Sequence, residues 1–382
     1  MIVSANVAFA AFGAFWGVWG ASVPQVREQA GISDGQLGVA LLFVGAGALP
    51  AMLLSGRALD RWGLKVAAVS VGALGVVGAG LAFSAVDLVS LCVGLALVGA
   101  TSGAADVAMN SVAGRAEELA GRPVITRAHG VFSSLVVLGS LGTGVASAAA
   151  LRLSVPFVAV AALSLVASAS MLRTLPAGVP AHRDSPAEAS GSWRPGPFLL
   201  IGALGALAFA SENAHQSWSA VFAHDELDTG GLSAVAPAVF AGTVAVTRFV
   251  AGGLGAAHAR TVLLVGSLAA AAGAVVIAAA PSLPVAAVGL ATAAAGTAVL
   301  FPTLVGVVSR NVDESRRGRA TSLVTTVSYL GFLLGPVYVG LWADAVGLRG
   351  AMLAVAALAL ALLLLAPLLL RLSGLGGAQA PT

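Results

Sequence analysis

"SGRALDRWGLK", residues 55–65, puts Arg57, Asp60, Arg61 and Lys65 into nine positions between two long apolar runs. The chain around it is only 9% charged and 58% hydrophobic over 382 residues, with a mean hydropathy of +0.98. Soluble domains carry about 25% charged residues. A surface this poor in charge cannot be hydrated, so lipid is the solvent for most of the chain. The apolar runs recur from end to end, which excludes a cleaved leader followed by a soluble domain. Division into twelve units gives about 32 residues each, enough for a spanning helix of ~20 residues and a short loop. The ten-residue alternation of a membrane β-barrel is absent. The reading is an all-α integral membrane protein with twelve transmembrane helices in two six-helix bundles.

Apolar runs bounded by turn and charge signals place spans near 4–24, 36–56, 65–86, 88–112, 128–150 and 154–173. A second set falls near 197–223, 231–255, 261–280, 283–308, 320–342 and 348–371. Residues 174–196 hold Pro, Ser, His and both charge signs, and read as a solvated linker. The expected organisation is therefore an N-terminal bundle over 1–173, a linker over 174–196 and a C-terminal bundle over 197–382. Fifteen of the nineteen bases lie in loops after even-numbered spans or at the C-terminus. By the positive-inside rule those loops and both termini are cytoplasmic. Arg27, Arg152 and Arg349 follow odd spans, and Arg248 lies within the eighth.

A shift of 196 residues aligns the halves. "GRALDRWGLKV" (56–66) then faces "GGLGAAHARTV" (252–262), Gly139 falls on Gly335, and "EELAGRP" (117–123) matches "DESRRGRA" (313–320) within one residue. Parallel repeats of this kind are a transporter architecture, with the solute held between halves that expose it alternately to each side.

With these features the chain resembles the major facilitator superfamily. Gly56, Asp60, Arg61, Gly63 and Lys65 match that family's signature in the loop after the second helix, with Ala58 and Leu64 as departures. "DVAMN" (106–110), "GRP" (121–123), "HGVFS" (129–133), "EN" (212–213) and "WS" (218–219) are similar to a bacterial branch akin to fucose permease. The second copy of the signature has Ala256 where the first has Asp60. Gly56 and Gly63 would permit a tight reversal and close helix approach. Asp60, at the end of a helix, sits unfavourably for an anion and needs bases nearby. We expect this cluster to hold a cytoplasmic gate.

An ionisable group inside a span costs about 2.5–3.5 kcal/mol on insertion scales, which marks it as a functional candidate. Glu212 lies mid-span, and His215, Gln216 and Ser219 share its face at i+3, i+4 and i+7. Such a carboxyl can take up and release a proton, and Asn213, His215 and Gln216 could line a solute path. Asp106 and Asn110 stand at i and i+4 beneath Gly99, Ser102 and Gly103, where small residues admit a partner helix or a ligand. Depth counted along the helices assigns Arg248 to a cytoplasmic-side network with Asp106 or His129, leaving Glu212 free to titrate. Gly13, Gly17 and Gly20 form a seam on the first span, and Gly335-Pro336 interrupts the eleventh.

Other chemistry is excluded by simple counts. The single lysine, Lys65, lies in Gly-Leu-Lys-Val, so no Walker A loop exists. The five histidines show no close ligand spacing, so neither metal nor other cofactor is expected. One cysteine, Cys92, permits no internal disulfide. A net charge of +3 over 382 residues is no nucleic-acid patch. The expectation is a bacterial cytoplasmic-membrane protein, not an enzyme, acting as a monomer. Its partners would be a small polar solute, protons and the bilayer. Proton-driven efflux of amphipathic compounds is the alternative within transport, and a non-transporting membrane receptor the alternative outside it.

Overall fold

A computed structural model describes residues 1–176, 195–251 and 258–375. The linker assigned to 174–196 falls mostly outside them, as do Gly252 and Ala256 of the second signature copy. Among the described residues the chain is helical, with no strand. The helices are α1 (Ile2–Ala30), α2 (Asp34–Trp62), α3 (Lys65–Ser84), α4 (Leu88–Ala120), α5 (Ile125–Ala148) and α6 (Ser154–Thr174). They continue with α7 (Gly196–Asp225), α8 (Val235–Ala251), α9 (Ala259–Ala279), α10 (Leu283–Asn311), α11 (314–346) and α12 (348–372).

The last two run on as one 59-residue helical stretch, broken only by Gly347 at φ 79° and ψ 166°. An unbroken helix of that many residues, at ~1.5 Å each, would be about 90 Å long, three times the thickness of a bilayer core. Gly347, without a Cβ, adopts an extended backbone conformation with positive φ that ends one crossing and starts the next. Eleven described stretches are long and apolar enough to cross a membrane. Division of the last at Gly347 gives the twelve crossings.

Local chemistry sets the helix ends. Ser33 and Gln36 form a reciprocal capping box at the start of α2, and Asp87 and Ser90 form another at α4. Gly31 and Gly121 close α1 and α4 in the left-handed conformation. The Glu117 carboxylate then accepts the N–H groups of Val124 and Ile125 at 2.7 and 3.0 Å, satisfying the open start of α5.

Two compact units result. The first holds α1–α6 together with residues 219–242; the second holds α7 to Trp218 and the chain from Thr243 onward. In the first unit α1 packs on α5, α2 on α4 and α3 on α6. The internal repeat is visible atom by atom. A Cβ on Gly139 would lie 2.8 Å from the Ala14 carbonyl oxygen, and one on Gly335 would lie 2.7 Å from that of Ala210. Both residues of the first pair map onto the second by the same 196-residue shift. The ends of α3 and α9 are also braced, though by donors that the shift does not relate: Gln29 of α1 donates to the Ala82 and Ala85 carbonyls, and Arg349 of α12 to those of Ala278 and Ala280.

Candidate functional site

In the second unit the polar chemistry collects where prolines have opened helix backbones. Proline has no N–H, so the carbonyl four residues earlier loses its helical partner. Pro336 opens Phe332 in α11, and Asn213 Nδ2 of α7 donates to the Phe332 carbonyl at 2.5 Å. Trp218 Nε1, five residues further along α7, donates to the carbonyl of Pro336 itself at 3.2 Å. Pro302 opens Ala298 in α10, and Arg248 Nε of α8 donates to the Ala298 carbonyl at 3.3 Å. Each opened carbonyl is thereby met by a side chain from another helix.

Arg248 does a second thing. Its Nη2 donates to Glu212 Oε1 at 2.7 Å, so one guanidinium ties α7, α8 and α10 together. The carboxylate side chain is 12% exposed and the guanidinium side chain 47%. Glu212 Oε2 is buried and bonded to no protein group. This corrects the expectation that Arg248 joins Asp106 or His129 and leaves Glu212 unpaired. The depth count placed Arg248 by its backbone, whereas an arginine stem carries its charge several ångströms away from its Cα.

The remaining α7 residues divide. His215 is buried and its Nδ1–H donates to the Ser211 carbonyl at 2.7 Å. That bond fixes the tautomer of the neutral ring, with Nε2 as the acceptor. Gln216 is exposed, so the single face drawn through Glu212, His215, Gln216 and Ser219 splits into a buried part and an open one. Asn213 is 7% exposed and hydrogen-bonded at both ends: its amide donates to the Phe332 carbonyl and its Oδ1 accepts from Ser217. Below Glu212, Phe209 stacks on Phe301 with ring centres 4.2 Å apart, and Tyr329 and Phe332 pack edge-on against it at 5.6 and 6.2 Å.

In the first unit Asn110 Nδ2 donates to the Asp106 carbonyl and side chain at 2.9 and 3.2 Å, so this pair closes on itself along α4. Gly99 and Gly103 face the α2 backbone at Val44 and Ala48, so the small residues admit a helix there. His129 packs edge-on to Phe9, 4.8 Å between ring centres. Gly63 takes φ 69°, which only glycine adopts freely, and turns α2 into α3. Gly56 is different: a Cβ there would meet nothing within 4 Å, so it makes no close helix approach within the unit. Asp60 and Arg61 are exposed in the last turn of α2, Arg61 stacks over Trp62, and Lys65 opens α3.

At the other end of α1 lies a charge cluster that sequence reading counted only as a stray base. Arg27 bridges Asp34 of α2 and Asp225 at the end of α7. His224 stands 2.8 Å from Asp225 and 3.8 Å from Glu28. Nearby, Gly144 and the Gly231 backbone are close enough that a Cβ on either would lie 2.7 Å from the other's carbonyl oxygen.

The Major Facilitator Superfamily model matches residues 5–258 and 237–376, essentially the whole chain. The chain belongs to the major facilitator superfamily. An uncharacterized MFS-type transporter of Yersinia pestis is 28% identical over 347 residues, 88% of this chain and 87% of that one. Membrane protein MosC of Rhizobium meliloti is 27% identical over 348 residues, 88% and 82% of the two chains. A point mutant of the nucleoside transporter NupG superposes with a TM-score of 0.80 at 14% identity, covering 96% of this chain and 99% of the other. The inward-open xylose transporter XylE from E. coli gives 0.71 at 14% identity, covering 97% and 95%. These likenesses establish the fold, and membership of the family makes this multi-pass membrane protein a transporter of small molecules.

Proposed function

We propose that the protein is a proton-coupled secondary transporter of a small polar, sugar-like solute, working as a monomer by alternating access between its two six-helix halves. It sits in the bacterial cytoplasmic membrane with both termini in the cytoplasm, the side favoured by the count of bases. The fucose-permease-like stretches noted above support a sugar-like solute. The observation that carries proton coupling is the Glu212–Arg248 pair. One carboxylate oxygen is engaged by Arg248, and the other is buried and unbonded. Protonation at Oε2 would neutralise Glu212, loosen the pair and free guanidinium donors for solute hydroxyls. Asp60, Arg61, Gly63 and Lys65 would form the gate on the cytoplasmic side.

The aromatic group of Phe209, Phe301, Tyr329 and Phe332 favours a second reading, efflux of an amphipathic compound, because apolar and aromatic walls suit such ligands. One experiment separates them. A thermal-shift panel of sugars, acids and amphipathic drugs identifies a ligand by the stabilisation it brings. Proteoliposomes with an imposed pH gradient then measure its uphill movement. The proposal expects accumulation of a polar solute in the wild type and none in Glu212→Gln. Equal movement with and without the gradient would overturn proton coupling.

A further inference from the structure

Glu212 and Arg248 set one negative charge against one positive, and protonation of Glu212 upsets that balance. Both residues lie in the second unit, as do their neighbours on α10 and α11. A guanidinium carries five N–H donors and keeps its charge in proteins. Here Nε–H donates to the Ala298 carbonyl and Nη2 to Glu212 Oε1. Among the described residues the other three donors meet no protein group, and 47% of the side chain is exposed. Glu212 is also the one acid in contact with Arg248 among those residues. On α7, Phe209 stands three residues before Glu212 and the neutral His215 three after it. α10 brings the Ala298 carbonyl and, three residues on, Phe301, whose ring stacks on Phe209. α11 brings Tyr329 and Phe332 to the same rings. None of these is an anion. A neutral Glu212 therefore leaves a lone cation within a span, an arrangement that membrane proteins avoid.

We infer that the solute supplies the missing charge: it is a sugar acid with a single carboxylate, bound by the open donors of Arg248 while Glu212 holds the proton. Guanidinium and carboxylate match in a two-pronged geometry, and a base that is already held at two points loses little freedom in forming it. The sugar ring then lies against the Phe209 and Phe301 group, since solute sites combine aromatic walls with a few placed polar groups. The exchange balances. A hydronium ion gives its proton to Glu212 Oε2, one O–H bond forms, a water leaves, and the incoming carboxylate restores the negative charge. A neutral sugar would leave Arg248 unpaired, and a doubly charged phosphate would overshoot. Proton and solute each favour the binding of the other by the same factor, and they cross as a neutral pair. This inference rests on the reading of Glu212 as the coupling carboxyl and adds the charge of the solute that it carries.

Matched probes test it. Glucose, galactose and mannose are each compared with their uronates by thermal shift of the purified protein, which converts ligand-induced stabilisation into an affinity. From pH 8 to pH 6 the uronates stay ionised. The wild type should bind at least one uronate and not its neutral sugar, with an affinity that rises roughly tenfold for each pH unit lowered, the mark of one proton taken up. Glu212→Gln, which is neutral at every pH, should bind the same uronate with no pH dependence. Glu212→Gln/Arg248→Gln removes both charges together, so neither is stranded, and should bind it about tenfold or more weakly than Glu212→Gln. Binding of a neutral sugar as tight as that of its uronate would overturn the anionic solute and leave proton-coupled sugar transport standing. So would stabilisation by no uronate, or equal uronate binding by the two variants. Uronate binding that ignores pH in the wild type would overturn the coupling reading of Glu212, and this inference with it.

Discussion

Glu212 and Arg248 show how far a single residue can be read without its neighbours. An acid mid-span was legible as a functional candidate because burial of a charge is costly. Its partner was not, because Arg248 reaches Glu212 with its stem and is held by a carbonyl that Pro302 has opened on a third helix. Removal of one partner strands the other. We expect Arg248→Ala to destabilise the protein by about 1–3 kcal/mol, less than the 3–5 of a fully enclosed pair because the guanidinium is 47% exposed. Glu212→Gln in the same chain should recover most of that loss, read as melting temperature in detergent. Additive losses would mean that the pair is not coupled. Asp87, outside the membrane, gives a pH-dependent case. Its carboxylate accepts from the Ser90 N–H at 2.7 Å and from the Ser90 hydroxyl at 2.8 Å, which holds its pKa below the ordinary aspartate value. A lowered native pKa means stability present above the unfolded value of about 3.9 and lost as pH falls through the native one. The melting gap between wild type and Asp87→Ala should therefore be full at neutral pH and shrink in acid. A gap that persists at low pH would show that the carboxylate's charge contributes nothing.

Among the elements, α7 and α11 are joined by chemistry that the sequence contains but that periodicity does not reveal. Gly335-Pro336 was legible as an interruption. That Asn213 and Trp218 would brace it was not, since the donor lies more than a hundred residues away. The usable signal is local: each proline inside a helix leaves the carbonyl four residues earlier in need of a donor. Phe332 and Ala298 both obey it. If Asn213 is there to satisfy the opened carbonyl, its value depends on the proline. Asn213→Ala should cost about 1–3 kcal/mol in the wild type, where the carbonyl is left unbonded. The cost should shrink in a Pro336→Ala background, where the N–H of residue 336 is available to Phe332 again. Equal costs in both backgrounds would assign Asn213 another role, including the solute contact first expected of it. The two serine-and-proline solutions also compare directly. In the first unit Ser140 donates to the Gly17 carbonyl, and residues 17 and 140 map by the 196-residue shift onto Asn213 and Pro336. One helix crossing is thus held by two different polar devices in the two halves.

On the scale of the whole molecule, twelve crossings and a duplicated plan were legible because lipid imposes them. A bilayer fixes the length of each apolar run, and glycines at 139 and 335 are required wherever the repeated backbones touch. What was hidden is the grouping of residues 219–242 with α1–α6, which depends on contacts such as Arg27 to Asp225 that no spacing encodes. Orientation is the remaining whole-chain property, and it decides which sides of the membrane the Asp60 cluster and the Asp225 cluster face. The positive-inside rule predicts Asp60 inside and Asp225 outside. The helix α4 offers a clean test, because its 33 residues, about 50 Å long, separate two sites of equal exposure. Val86 precedes it and Leu119 lies in its last turn, and each is 63% exposed. In a chain freed of its one cysteine by Cys92→Ser, an impermeant maleimide on intact cells should label Val86→Cys. Leu119→Cys should react only after lysis. Because the two sites match in exposure, a difference in labelling reports the side of the membrane and not burial. Labelling in the opposite sense would invert the topology and move the Asp60 cluster to the outer face.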